Sequence, residues 1–443
     1  TLPGFPVSLG SQTGGVAVAD IDLDDTLEIV ATGFDKLISV YDIYGHHEWD
    51  RHAGFFITAI PAIGDLDEDP ELEIAVGSYD QHMYVLNHDS TDAEGFPYAT
   101  GQLLHSGVSL ADLNNDGKDD IVYVSKNGQV GILTTDGNMM DGWPQNVGGS
   151  TQSEPQVIVT GDSSAIILWG NDLGDIYAYD INGNERFMID GSGAINASPA
   201  LCVEEERLYA FFATTQGEVY KIDVAGDSVV SGWPAEINSI HQSLVVADVL
   251  DDGVNEPHVL GIGNNGNIYA LDRSGNLIPG FPINTKFLSR SALAVTDIDD
   301  DLDLDLIAGN YSGISVTDLK NASQTENILW PMHRGSADRR GSTTFLISSI
   351  EEIQIPSRFA LLGNAPNPFN PITTIKFKTE KHNPVNLRMY SLDGKLIMSR
   401  KISNPSMGLN EIKLDLGSYS SGIYIYTLEQ AGEIRSSKMI LLK

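Results

Sequence analysis

Four short loops in this chain crowd oxygen-bearing side chains at alternate positions: Asp20, Asp22, Asp24 and Glu28; Asp65, Asp67, Asp69 and Glu73; Asp112, Asn114, Asp116 and Asp120; and Asp297, Asp299, Asp301 and Asp305. A fifth loop has Asp248, Asp252 and Glu256, but Leu250 stands where the second oxygen would be. Carboxylates this close repel, and each loop runs straight into apolar residues such as Ile74, Ala75 and Val76. Oxygens at alternate loop positions can converge on one point, with the last acid closing the shell from the start of the next strand. Hard cations take such a site. Ca2+ accepts about 6–8 oxygens in flexible geometry, whereas Mg2+ demands near-octahedral order and keeps its waters. The ion's charge also removes the repulsion that makes the loops look unreasonable. We therefore expect about four Ca2+ sites, and a fifth that is weak. These are not EF-hands, whose loops have about twelve positions between two helices.

The loops recur with a period, and so do the elements that must position them. Asp20, Asp65 and Asp112 begin successive units, and Asp248 and Asp297 begin two more. The interval between Asp112 and Asp248 holds two further units, starting at Ser153 and Ala197, that lack the loop. A GFP or GWP tripeptide keeps the same beat at Gly4, Gly95, Gly142, Gly232 and Gly280. So does a tyrosine-bearing stretch: HMYVLN, DIYAYD, EVYKID and NIYALD. Short apolar or alternating runs bounded by Gly, Asp and Asn predict strands. A period in the forties with about four strands per unit predicts a β-propeller. The predicted fold is all-β: a seven-bladed propeller over 1–345, a linker at 346–356, and a small immunoglobulin-like β-sandwich over 357–443. We expect the N-terminal TLPGFPVSL and the late NILWPMHRG (327–335) to complete the closing blade together.

The division at Pro356 is also one of charge. Residues 1–356 carry 14 basic and 55 acidic residues, a net −41, whereas residues 357–443 carry 12 and 6, a net +6. Such acidity argues against a nucleic-acid partner, which needs clustered Lys and Arg. A single cysteine, Cys202, excludes an internal disulfide and a multi-thiolate zinc site. No apolar run approaches the roughly 20 residues of a membrane helix. The N-terminal stretch reads as neither a signal peptide nor an initiator segment, so we expect a mature product or a fragment.

At these residues the chain resembles the calcium loops of FG-GAP and VCBS repeats, the blades of integrin α-subunit propellers and many bacterial surface proteins. The resemblance implies side-chain ligands at loop positions 1, 3, 5 and 9, as above. It adds a main-chain carbonyl at position 7, here Thr26, Glu71, Lys118, Val254 and Asp303. It implies structural rather than catalytic calcium. Position 6, usually Gly in that family, is Gly in only two of these loops, Gly117 and Gly253. A second resemblance covers residues 357–443. NAPNPFNPITTIKFKT, LRMYSLDGKLIMS, SGIYIYTLEQAGE and KMILLK together look like a C-terminal sorting domain of the type IX secretion system. That implies export across the outer membrane of a Bacteroidetes-like bacterium, to its surface or beyond.

No HExxH, GxSxG or P-loop occurs, and GIGNNG at Gly261 runs into a strand rather than the helix a dinucleotide site requires. Trp143, Trp233 and Trp330, each before a proline, fit packing anchors between blades. The expected function is a secreted or surface-anchored calcium-binding module that binds an extracellular glycan or protein. The alternative is the non-catalytic C-terminal part of a larger secreted hydrolase, a peptidase or polysaccharide-degrading enzyme.

Overall fold

The computed structural model describes residues 4–344 and 359–442 except positions 12, 68, 161–163, 206, 251–255, 290, 300, 302, 311–312, 321–327, 366–368, 380–382, 392–394, 404, 407 and 431–432. The expected linker at 346–356 lies outside the described residues. The chain divides into two compact units, Thr1–Ile350 and Glu351–Lys443.

In the first unit, seven antiparallel sheets follow one another among the described residues. Blade one is Thr13–Ala19, Glu28–Gly33, Leu37–Asp42 and His47–His52, paired in that order. Blades two, three, four and six repeat this four-strand order, starting at Ala62–Gly64, Ser109–Ala111, Gln156–Val159 and Val245–Ala247. Blade five starts at Ala200–Glu204, and two short strands, Ser228–Val229 and Ala235–Glu236, both pair with its third. Blade seven has three strands: Leu293–Thr296, Leu304–Asn310 and Gly313–Leu319.

Burial follows strand position. Second strands such as Glu73–Gly77 and Asp120–Val124 are buried throughout, whereas the outer His47–His52 alternates with solvent. The apolar side chains meet between neighbouring sheets. Ala17, Val30 and Val40 of blade one pack with Ile63, Ile74 and Val76 of blade two, and similar clusters join the later blades. A blade alone would expose both faces, and stacking around a ring covers them. This is a β-propeller.

The GFP and GWP tripeptides lock each unit to the next. Gly95 lies against the carbonyl of Asp136 in blade three, and Gly142 against that of Asn182 in blade four, so that a Cβ at either would collide. The indole N–H of Trp143 donates to Ile181 O at 2.8 Å, and that of Trp233 to Arg273 O at 3.3 Å, each across to the following blade. Gly4 meets Tyr44 of blade one in the same way, which puts the N-terminal segment where the end of blade seven belongs.

The expected role of NILWPMHRG is corrected. Ile328–Trp330 pairs with Val245–Ala247, the innermost strand of blade six, and the chain then lines the inside of the ring. Val295 N–H of blade seven donates to Pro331 O, Val18 N–H of blade one to Ala337 O, and Ile63 N–H of blade two to Asp338 O. Leu110 N–H of blade three donates to Arg340 O and Val157 N–H of blade four to Gly341 O, where Ser342–Thr344 adds a parallel strand. An innermost strand leaves a row of N–H groups facing the channel, and buried N–H groups need acceptors. Residues 328–344 supply them, so this segment is a strap around the inner wall rather than the edge of a blade.

The strap carries buried charge. Arg334, 1 % exposed, donates through Nη2 to Val108 O, to Ser109 Oγ at 3.2 Å and to Arg340 O at 3.2 Å. Glu154 of blade four accepts from Ser198 Oγ at 2.6 Å and stands 3.5 Å from His333 Nε2. Burial alone would raise the Glu154 carboxyl, but His333 and Arg334 hold it down to about 2.

The second unit has two antiparallel sheets: Phe359–Ala365, Ile372–Thr379 and Gly408–Asp415 in one, and Leu396–Ile402, Val385–Ser391, Gly422–Gln430 and Glu433–Leu441 in the other. Phe377, Ile412 and Leu414 of the first sheet share a core with Leu387, Tyr426 and Met439 of the second, which makes it a β-sandwich.

Candidate metal centres

Each acidic loop joins the first and second strands of its blade, at one end of the sheet. The ladder fixes its two ends: Ala19 pairs with Glu28, Gly64 with Glu73, Ala111 with Asp120 and Thr296 with Asp305. In these four loops the ninth-position acid is therefore the first or second residue of the second strand. It reaches back across the loop to accept the N–H of position 2: Ile21 to Glu28 at 2.8 Å, Leu66 to Glu73 at 2.6 Å, Leu113 to Asp120 at 3.1 Å and Ile298 to Asp305 at 3.0 Å. One carboxylate oxygen is thus committed and the other is left for the loop.

That second oxygen is where the chemistry lies. Glu73 and Asp120 are wholly buried, yet Glu73 Oε1 and Asp120 Oδ1 have no hydrogen-bond partner among the described residues. Burial, reinforced by Asp67, Asp69 and Asp65, pushes the Glu73 carboxyl up to about 8, against the pull of the Leu66 N–H. Burial likewise raises Asp120 to about 7, with Asp116 and Asp112 adding to it. Glu28 is also raised, first by burial and then by Asp22 and Asp20, against the pull of the Ile21 N–H. An uncompensated buried carboxylate is costly, and either a proton or a cation relieves it.

Three loops bring carboxylate oxygens together within 4.8 Å: Asp20, Asp22 and Glu28; Asp67, Asp69 and Glu73; and Asp297, Asp299 and Asp305. Oxygens bound to one Ca2+ at 2.3–2.6 Å lie at most about 5 Å apart, so the spacing fits a shared ion. These acidic clusters could hold metal ions. The Asp112 loop forms no such carboxylate group among the described residues; at its third position the Asn114 amide donates to Asp116 Oδ2 at 2.9 Å. Asp24 stands outside its group, accepting from Thr26 N–H at 2.8 Å, and Asp65 stands outside its own. In the last loop Asp301 and Asp303 group instead with Asp318 on the third strand, a residue the sequence reading did not single out. Lys118 N–H donates to Asp116 Oδ1 at 3.0 Å, and Glu71 N–H to Asp69 Oδ1 at 3.2 Å.

The absence of Gly at position 6 is met in two ways. Asp25 adopts φ 70°, the left-handed conformation that Gly117 takes at φ 89° in the third loop. Pro70 cannot follow, since its ring holds φ near −65°, so the second loop turns differently.

In blade six the register differs from the spacing. Ala247 pairs with His258, two residues beyond Glu256. His258 therefore opens the second strand, and Val249 N–H donates to its Nδ1 at 3.4 Å. Asp248 Oδ1 is 3.6 Å from that nitrogen, while Glu256 turns away to Arg273 at 2.8 Å. Asp252 and the carbonyl position Val254 lie outside the described residues. Cys202 is buried, and burial raises its thiol to about 12.

Residues 365–442 match the family model described as "Secretion system C-terminal sorting domain". No match was found among curated protein sequences. Among solved structures the chain is similar to BBS1N, crystallised in complex with ARL6DN and soaked with lead, at 13% identity, covering 73% of this chain and 96% of that one with a TM-score of 0.46. It is also similar to BamB from Moraxella catarrhalis, at 16% identity, covering 69% and 96% with a TM-score of 0.41. The sorting domain marks a secreted or cell-surface protein exported by type IX secretion machinery, a route typical of Bacteroidetes. Among the described residues no helix is long and apolar enough to cross a membrane.

Proposed function

We propose that the propeller is a calcium-stabilised binding module of the FG-GAP/VCBS kind, exported by its sorting domain to bind an extracellular glycan or protein. The observation that carries the calcium reading is the pair of buried oxygens, Glu73 Oε1 and Asp120 Oδ1, each left without a partner in a loop rich in further oxygens. Calcium suits an oxygen-only, flexible shell better than magnesium does. Four loops would hold an ion, those opening at Asp20, Asp65, Asp112 and Asp297. The loop at Asp248 is the weak one, with His258 where the others have a carboxylate. Extracellular sites often have Kd of about 10⁻⁴–10⁻³ M, so millimolar calcium stabilises each by around 1 kcal/mol. The ions hold hairpins and leave binding to another part of the ring.

The test is metal content by mass spectrometry with melting curves in calcium and in chelator, followed by a glycan and matrix-protein binding screen. About four ions and a lower melting temperature in chelator support the calcium reading. No bound ion and an unchanged melt overturn it. Turnover of a polysaccharide without stable binding overturns the binding role.

A further inference from the structure

Four blades end alike. After its GFP or GWP tripeptide the chain adds two residues to the third strand of the blade it is leaving. Tyr98 pairs with Met83 and Ala99 with His82; Gln145 with Val130 and Asn146 with Gln129; Ala235 with Val219 and Glu236 with Glu218; Ile283 with Ile268 and Asn284 with Asn267. The register is the same each time: the first residue after the tripeptide meets the second residue of the strand. Blade seven lacks this ending. Among the described residues nothing pairs with the outer edge of Gly313–Leu319. The tripeptide that would serve it is the GFP at 4–6, at the other end of the propeller sequence. In the shared register Val7 falls opposite Ile314 and Ser8 opposite Gly313.

Burial shows what the missing strand leaves open. Ile314 is 76 % exposed and Val316 48 %, whereas Met83, Val130, Val219 and Ile268, which hold Ile314's place in the four complete blades, are wholly buried. Across the seam, Val18, Ile29 and Tyr41 of blade one are half-buried, while their counterparts Ile63, Ile74 and Leu86 in blade two are wholly buried against blade one. The N-terminal segment already lies along this face of blade one. Gly4 sits against Tyr44 O, Leu9 lines a small cleft with Ala31, Leu37 and Ser39, and Ser11 Oγ accepts the Asp35 N–H. At the hub, by contrast, blades seven and one are joined. Val295 N–H and Val18 N–H donate to Pro331 O and Ala337 O of the same strap. The seam is thus fixed at its inner end and unpaired at its rim.

We propose that this seam is a clasp, unfastened in this structure, that closes when residues 7–8 join Gly313–Leu319 as the fourth strand of blade seven. Val7 then pairs with Ile314 and Ser8 with Gly313, and blade seven swings toward blade one about the strap. Closing requires no refolding, because the segment is anchored on blade one at Gly4 and at Ser11 and only the rim moves. It covers Ile314 and Val316, and it gives partners to the N–H and C=O groups of an open edge. The occupant of that edge is this chain's own segment rather than a second copy. Its tripeptide matches those of the four complete blades, and both its ends are already fixed on the neighbouring blade. The clasp is independent of the calcium and binding roles proposed above.

The experiment is oxidation of the full-chain double variant V7C/I314C, with V7C/T317C, out of register, as the control. The native thiol of Cys202 is buried and does not compete. V7C/I314C is expected to form a disulfide within one chain, read as a mobility shift on a denaturing gel, and V7C/T317C to form none. The single variant I314C reports the open state through its rate of alkylation. It is expected to react in the full chain, and about tenfold faster once residues 1–12 are removed. No disulfide in V7C/I314C, an equal yield in the control, a disulfide that joins two chains, or an alkylation rate indifferent to residues 1–12 overturns the proposal. Complete protection of the I314C thiol in the full chain would show a permanently fastened ring and overturn it as well.

Discussion

Glu73 separates two readings of the acidic loops, because charge and shape can be removed independently there. Gln in its place keeps an acceptor for the Leu66 N–H, which Glu73 Oε2 takes at 2.6 Å, but loses the charge that would hold an ion. In calcium, E73Q is expected to melt below wild type, by around 1 kcal/mol of stability. In chelator the order should vanish or reverse, since the variant no longer buries an ionisable group. The pH dependence checks the cause. The Glu73 pKa stands at about 8 against an ordinary 4.5, so the folded chain holds a proton that the unfolded chain has released. In chelator, wild-type stability should therefore fall as pH rises from about 4.5 to about 8, and E73Q should lack that share of the slope. An identical melt for both proteins in calcium and chelator would show that no ion sits there. The ninth-position acids of four loops could be read from spacing alone, because each stands at the start of a strand at a constant distance from the first Asp. His258 could not: two extra residues shift the register, and the pairing of Val259 with Leu271, not the count of acids, decides which side chain closes the loop.

At the scale of elements, the strap is the part that the sequence conceals. The blades show through because loop, tripeptide and tyrosine strand recur together. Residues 328–344 have no period, and their acceptors serve N–H groups from blades hundreds of residues apart, so no local pattern announces them. A cluster of aromatic rings is hidden for a similar reason: Phe34, Phe56, Tyr79 and His105 come from alternating turns and crossings of the first blades, yet Phe34 stacks on Phe56 at 5.2 Å and Tyr79 lies 4.7 Å from Phe56. Arg334 tests the strap. R334A leaves Val108 O and Ser109 Oγ without their buried donor, and should cost roughly 3 kcal/mol, read as a lowered denaturant midpoint. R334K keeps the charge but not the planar fork, and should recover only part of it. Calcium content should be unchanged in both. A wild-type midpoint for R334A would mean that the strap does not brace the ring.

For the whole molecule, closure depends on both ends of the propeller sequence. Gly4 sits on Tyr44, and Ser11 Oγ accepts the Asp35 N–H at 2.9 Å, so the N-terminal segment grips blade one from the side of blade seven. Deleting residues 1–12 is expected to lower the melting temperature by on the order of 5 °C. An unchanged melt would show that the ring closes without them. The strap has a mechanical meaning too. The sorting domain follows it in sequence, so a cell that holds the protein by that domain pulls on the chain just beyond Thr344. Tension there meets Ser342–Thr344 lying parallel to Gln156–Val159, with earlier strap residues bonded to five more blades. A pull on that domain would thus first meet the strap, which is bonded around the hub of the ring, rather than a single rim strand.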